Sequence, residues 1–214
     1  EKRQLTKDVI AFLFEPSRNF QYKPGQFLEW TLSHKNPDNR GVRRFFTISS
    51  SPTEDFIMLT SKFYNLSEAR ISSSAYEKPS TFKQALQKLE SGNEIIISGL
   101  GGEFTLPEDP STSSGQVKKL VFIAGGIGIT PFRSMVKYML DNNEKRDVML
   151  LYSNKMADDI VFKDIFDKAE KVGVSTIYVN TDKDGYIDAD MIKKEVPDYK
   201  ERTFYVSGPE PMVE

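Results

Sequence analysis

"KLVFIAGGIGITPFRS", residues 119–134, is a continuous apolar run that breaks into three glycines and then into a threonine–proline helix start. An apolar run without polar alternation reads as a strand buried on both faces. Glycines at 125, 126 and 128 let the backbone turn tightly and let a ligand approach with no side chain in the way. The helix starting near Thr130 turns unpaired N–H groups toward the same place, which favours an anion, and Pro131 fits its first turn. On the glycines alone the turn serves either a ligand or simply a tight connection. It is not G-x-G-x-x-G and no P-loop lysine follows, so neither an ordinary Rossmann dehydrogenase nor an NTPase is implied.

The same grammar continues downstream. "DVMLLYS" (147–153), "VSTIYVN" (174–180) and "RTFYVSG" (202–208) are further strands, and "TPFRSMVKYMLDN" (130–142), "DIVFKDIFDKAEKVG" (159–173) and "DADMIKKEV" (188–196) are helices between them. Strands alternating with helices predict a parallel sheet covered on both faces. "YVSGPEPM" (205–212) places a second glycine turn after a buried strand. The carboxyl ends of such strands share one edge, where ligands bind. Gly126, Thr130, Ser153, Lys155, Ser207 and Gly208 are expected to converge there, although Lys155 alone reads more often as a solvated surface charge.

Upstream the pattern is different. "VIAFLFEP" (9–16), "GQFLEWTL" (25–32), "RFFTIS" (44–49), "FIMLTSKF" (56–63) and "EIIISGL" (94–100) are short strands separated by turns, interrupted by one helical segment, "TFKQALQKLE" (81–90). Such a series predicts a barrel or sandwich. "PEDPSTSSGQ" (107–116) has almost no apolar residue and separates the two patterns. The division is therefore 1–106, a linker over 107–116, and 117–214. A chain of 214 residues suits two domains of that size.

Composition removes several classes of function. A net charge of -2 gives no basic footprint for nucleic acid. With no cysteine, disulfides, iron–sulfur clusters and thiol catalysis are excluded within these residues. The one histidine, His34, lies in the polar stretch "SHKNPDNRG" (33–41), so no multi-histidine metal site is available. No apolar run approaches the ~18 residues a membrane span requires.

One stretch in the first half breaks the strand pattern. "RRFFTISSSP" (43–52) runs two arginines into two phenylalanines and then a string of hydroxyls. By itself it could be a barrel strand with a basic end, its phenylalanines core and rim. Together with "PSTF" (79–82), "GEFTLP" (102–107), "GGIGITPFRSM" (125–135) and "SGPEPM" (207–212), in this order, the sequence resembles the ferredoxin–NADP reductase family over nearly its whole length.

The resemblance implies a six-stranded antiparallel β-barrel that binds a flavin, FAD by family habit with FMN left open, and a doubly wound parallel α/β domain that brings the nicotinamide of NAD(P)H against it. Arg44 falls at the residue that pairs with the flavin's phosphates, and Phe46, beside Phe45, where a tyrosine usually stacks on the ring. Thr47 falls where a hydroxyl bonds the reactive ring nitrogen, and Ser50 ends the motif. Ser80, Thr81 and Phe82 match the turn that holds the pyrophosphate. Gly126, Thr130 and Pro131 match the nicotinamide loop, and Ser207, Gly208 and Pro209 the family's cysteine-glycine-proline turn. Thr47 and Ser207 would border the transfer itself. Ser153 and Lys155 would bear on NADH against NADPH.

The residue types suit that chemistry: a flat apolar face for stacking, a planar cation for phosphate, and no obligatory acid or base. Phe46 lacks the tyrosine hydroxyl and Ser207 replaces the cysteine. A flavin- or nucleotide-binding module without turnover is the alternative these departures leave open. The family continues past the helix near Pro211 to one more strand, so the second domain reads as truncated at Glu214. Flavin is then expected to bind well and nicotinamide loosely. The electron acceptor implied is external: a ferredoxin, a flavodoxin, or an iron–sulfur, haem or membrane redox domain. The implied placement is cytoplasmic, free or as the cytoplasmic-side domain of a membrane-bound protein.

Overall fold

The computed structural model describes residues 1–63, 80–108 and 118–214. The first half contains β1 (Lys2–Gln4), β2 (Val9–Phe14), β3 (Phe27–Thr31), β4 (Arg43–Thr47), β5 (Ile57–Lys62), the helix α1 (Thr81–Gln87) and β6 (Ile96–Gly101). The strands pair antiparallel in two three-stranded sheets, ordered β1-β2-β5 and β4-β3-β6. Ile10 and Phe12 of β2, Leu28 and Trp30 of β3, and Leu59 of β5 meet between the sheets, with Phe82 and Leu86 of α1 closing the core. The result is barrel-like, assembled from two sheets around one apolar filling.

Strand β3 shows the alternation of a one-sided strand, with Leu28 and Trp30 inward and their neighbours half-exposed. Strand β2 does not alternate, because it is covered on both faces. Ile10 and Phe12 face the barrel, whereas Ala11 and Leu13 pack with Met58 against Phe162 from the second half. Val9 enters the core of the second half outright. Docking of the two halves thus explains why "VIAFLFEP" is continuously apolar.

The second half contains β7 (Lys119–Gly125), α2 (Thr130–Asn142), β8 (Val148–Asn154), α3 (Lys163–Lys168), β9 (Val174–Asn180), α4 (Thr181–Asp184), α5 (Ala189–Glu195), β10 (Arg202–Ser207) and α6 (Glu210–Val213). Its sheet is parallel throughout, in the order β10-β7-β8-β9. Side chains of β7 alternate between two cores. Leu120, Phe122 and Ala124 meet Phe132, Met135 and Phe166 on one face, while Val121 and Ile123 meet Ile192 and Val196 on the other. The central strand must therefore be apolar at every position, as the quoted run is. Among the described residues no helix is long and apolar enough to cross a membrane.

Two expectations shift. The long helix expected over 159–173 begins only at Lys163, because Phe162 adopts a left-handed conformation (φ 59°), rare for a bulky residue. Its ring is the one held against the first half. "GEFTLP" was expected to close the first domain, yet Phe104 and Leu106 pack on the core of the second, with Phe104 edge-on to Phe132 and Tyr205. The Tyr205 hydroxyl donates to Thr105 O (2.9 Å) and Arg146 Nη2 to Pro107 O (2.8 Å). Of the expected linker, residues 109–116 lie outside the described residues, as does Pro79 of "PSTF".

Candidate functional site

The arginine–aromatic strand and α1 form one end of the site. Arg44 and Phe46, two residues apart on β4, face the same way and both rest on Phe82. The Arg44 guanidinium lies 5.6 Å from the Phe82 ring centroid, and the Phe46 ring lies 5.8 Å from it. Phe45 points to the opposite face, 64% exposed and edge-on to Phe27. The structure therefore groups Arg44 and Phe46 with α1 and separates Phe45 from them. The Thr47 hydroxyl has no hydrogen-bond partner among the described residues.

Arg44 is not a free cation. Its Nη2 donates to Asp38 Oδ1 at 2.6 Å, and its Nη1 reaches the carbonyls of Arg40, Gly41 and Arg43. Its Nε is buried with no hydrogen-bond partner among the described residues. Asp38 comes from the polar loop that includes His34, a stretch in which sequence alone singled out no site. Its Oδ2 accepts the Thr81 N–H (3.2 Å), its own N–H donates to the Thr81 hydroxyl, and that hydroxyl also lies 3.0 Å from His34 Nε2. Burial pushes the Asp38 carboxyl upward, but hydrogen bonds from Arg44, Arg40 and Thr81, with the Arg44 charge, hold it well below the usual carboxylate range. A carboxylate thus sits between Arg44 and Thr81, the two groups expected to receive a phosphate.

Two further expectations change. Ser50 was placed at the ligand, but it is fully buried. Its hydroxyl accepts the Met58 N–H (3.0 Å) and bonds Tyr22 OH (2.9 Å), so it braces the strand from inside. Phe82 was placed there too and is fully buried in the barrel core, where its ring supports Arg44 and Phe46 from beneath. Ser80 caps α1, accepting the Lys83 N–H at 3.5 Å.

The other end of the site is the carboxyl edge of the parallel sheet, where the two glycine turns meet. A Cβ on Gly128 would overlap the Ser207 carbonyl and come within 2.7 Å of Gly208 N, so the two glycine turns touch backbone to backbone. Gly125 is equally close to Pro209 and Met212. Gly126 takes φ 51° and faces open space. Thr130 and Pro131 are buried at the start of α2. Ser153 is buried, its hydroxyl turned back to Ala124 O (3.4 Å), while Lys155 is exposed. Beside Gly126 and Ile127, a cavity of about 20 Å³ is lined by Asn154, Asp159 and Val161 and, from the first half, by Asp8, Val9 and Lys62.

Residues 122–214 match the family model described as "Oxidoreductase NAD-binding domain". The chain is 29% identical to the glycine betaine monooxygenase reductase subunit of Chromohalobacter salexigens, over 97% of this chain and 55% of that protein. It is 27% identical to an NADPH oxidoreductase of Mycobacterium tuberculosis, over 97% of this chain and 51% of that one. It spans about half the length of these curated relatives. Among solved structures, a mutant ferredoxin–NADP+ reductase from Plasmodium falciparum with 2'P-AMP superposes with a TM-score of 0.77 at 19% identity, over 96% of this chain and 82% of that one. An Amycolatopsis cytochrome P450 reductase superposes with a TM-score of 0.73 at 18% identity, over 100% of this chain and 61% of that one. At these identities the structural likeness is one of fold.

Proposed function

For a chain that carries the ferredoxin–NADP reductase-like fold, with an oxidoreductase NAD-binding domain over residues 122–214, we propose a flavin-dependent NAD(P)H oxidoreductase that passes electrons to an external redox partner. The observation that carries this is the backbone contact of the Gly125–Gly128 and Ser207–Gly208 turns at one sheet edge, on a domain docked against the residues just past the Arg44–Phe46–Thr47 strand. The residues present fit a flavin. Phe46 offers a half-buried flat ring and, among the described residues, Thr47 an unused hydroxyl and Arg44 a buried N–H without a hydrogen-bond partner. A bound FAD would supply the redox chemistry, as an acceptor for the hydride equivalent (two electrons and one proton) that a reduced nicotinamide carries.

The protein's part is placement. Arg44 offers charge to a phosphate once its bond to Asp38 is exchanged. Phe46 offers a stacking face and keeps water from it. Thr47 Oγ offers a hydrogen bond at the transfer edge. Gly126 and the first turn of α2 offer backbone N–H groups to the nucleotide, and Ser207 offers a small hydroxyl beside it. His34 takes no part, since its Nδ1 donates to Leu32 O and its Nε2 lies against Thr81.

The test is direct. The protein is loaded with FAD and mixed anaerobically with NADH or with NADPH. Bleaching of the flavin band is the expected result, and failure to take up any flavin would overturn the proposal. Thr47→Val sharpens it, because this change keeps the shape and removes only the hydroxyl. Flavin content should hold while stopped-flow reduction slows about tenfold, the value of one neutral hydrogen bond of ~1 kcal/mol or slightly more. A held rate with collapsed binding would instead make Thr47 structural.

A further inference from the structure

The first turn of α2 does more than border the nucleotide. Arg133 and Ser134 leave the second domain and bind the backbone just past the end of β4. Arg133 Nη1 donates to Ser49 O (3.1 Å) and Ser134 Oγ to Ser50 O (2.6 Å). The Arg133 guanidinium also grips both carboxylate oxygens of Glu54, with Nη2 to Oε1 at 2.8 Å and Nη1 to Oε2. Glu54 Oε2 in turn accepts the Ser51 N–H (2.7 Å). The backbone of Ser49, Ser50 and Ser51 is thus held residue by residue. Both charged side chains are nearly enclosed, at 7% and 11% exposure. Phe162, in its left-handed conformation, covers the guanidinium at 5.4 Å.

The position of this contact is what gives it meaning. Thr47 lies two residues before Ser49, and Thr130 lies three before Arg133. The clamp therefore joins the end of the flavin strand to the nucleotide turn directly. An interface between domains ordinarily permits relative motion. A planar fork gripping a carboxylate in two places fixes orientation as well as distance. Against a well-packed apolar pair, a buried ion pair gains little stability. Orientation is the property an apolar pair could not reproduce. Transfer between two bound rings is steeply sensitive to position, with a misplacement of ~1 Å costing about a hundredfold.

We propose that Arg133 and Glu54 are positioning residues that set the register between the flavin-bearing strand and the nicotinamide-bearing turn, touching neither cofactor. The inference rests on the proposed oxidoreductase activity.

The test uses the full chain, as Glu54→Gln, Ser134→Ala and the volume-matched double variant Glu54→Leu/Arg133→Met. In FAD-loaded protein, the limiting rate of anaerobic flavin reduction should fall at least tenfold in Glu54→Gln and in the double variant. Flavin content and the nucleotide concentration for half-maximal rate should stay within about threefold of the parent. The double variant should regain parental thermal stability without regaining the rate; a rate that returns with stability would reduce the pair to a structural role and overturn the proposal. In flavin-free protein, hydrogen exchange should quicken in peptides covering 48–54 and 130–136 of Glu54→Gln, with the rest of both domains protected. Unchanged exchange there, or an unchanged limiting rate, would also overturn it. Ser134→Ala, which removes a single hydroxyl, should show the same pattern more weakly and keeps the test open if the charged variants fold poorly. A parent protein that binds flavin but is reduced by neither nucleotide would instead sink the functional reading, and the exchange data alone would then decide the clamp.

Discussion

Gly128→Ala should nearly abolish flavin reduction by nicotinamide nucleotides while leaving the β half folded and able to take up flavin. The added Cβ would overlap the Ser207 carbonyl oxygen and lie 2.5 Å from its carbon and 2.7 Å from Gly208 N. All three are backbone atoms at the end of β10, so no flexible side chain can yield. The β7 and β10 turns would have to part. Overpacking of this kind costs ~1–3 kcal/mol, and parting the turns displaces the nucleotide site by a distance of the order that costs about a hundredfold in rate. Gly126→Ala is the contrast. A Cβ there meets nothing within 4 Å, so only the left-handed backbone (φ 51°) resists it, at ~1–2 kcal/mol. Stopped-flow reduction and near-ultraviolet circular dichroism of both variants would decide. A parental rate in Gly128→Ala would show that the two turns need not touch for activity.

Arg44→Ala should weaken flavin binding about ten- to a hundredfold, the value of a charged hydrogen bond of ~1.5–3 kcal/mol. The structure adds a second consequence. Asp38 would lose its closer cation, keeping the longer pair with Arg40 (3.5 Å), and the loop from His34 to Gly41 would lose two carbonyl contacts, at Arg40 and Gly41. Binding should therefore be measured by flavin titration alongside a thermal melt, so that loop loosening is not read as lost affinity. Arg43→Ala is the control, since Arg43 is largely exposed and pairs with Glu29 only loosely, at 3.6 Å.

Asp38→Asn should act in the opposite direction to Arg44→Ala. It removes the carboxylate that competes for Arg44, so flavin should bind more tightly; weaker binding would show that Asp38 builds the site rather than occupying it. The pH dependence carries a definite sign. A carboxyl with a depressed folded value contributes stability above its unfolded value, near 3.9, and loses it only as pH falls through the lower folded value. The Asp38–Arg44 pair should therefore leave flavin affinity flat between about pH 5 and 8, with any change confined to strongly acidic solution.

The elements with strong local periodicity were legible from residue types. Strands β7 and β9 and helix α2 occupy the same residues in the structure as in the pattern, because buried parallel strands and an amphipathic helix write their burial directly into the chain. The glycine turns at 125–128 and 207–208 were legible for the same reason, since close backbone approach excludes side chains. Boundaries drifted where packing overrode pattern: Phe162 delays α3 by holding a left-handed turn against the other domain, and Phe104 crosses to the second core.

The site shows the same division. Arg44, Phe46 and the hydroxyls after them stood out from sequence because cation, aromatic and hydroxyl side by side defy the strand rule. That Phe45 faces away, that Ser50 is spent inside the barrel, and that Asp38 holds Arg44 depend on how β4, α1 and the His34 loop fold together. The clamp of Arg133 on Glu54 joins residues 79 apart in the chain and belongs to neither domain's pattern. Local periodicity records which face of an element is buried, but not which partner covers it. Sequence alone thus determined two domains, their strand classes and the two glycine turns, whereas pairings across the domain boundary were decided only when the two cores docked.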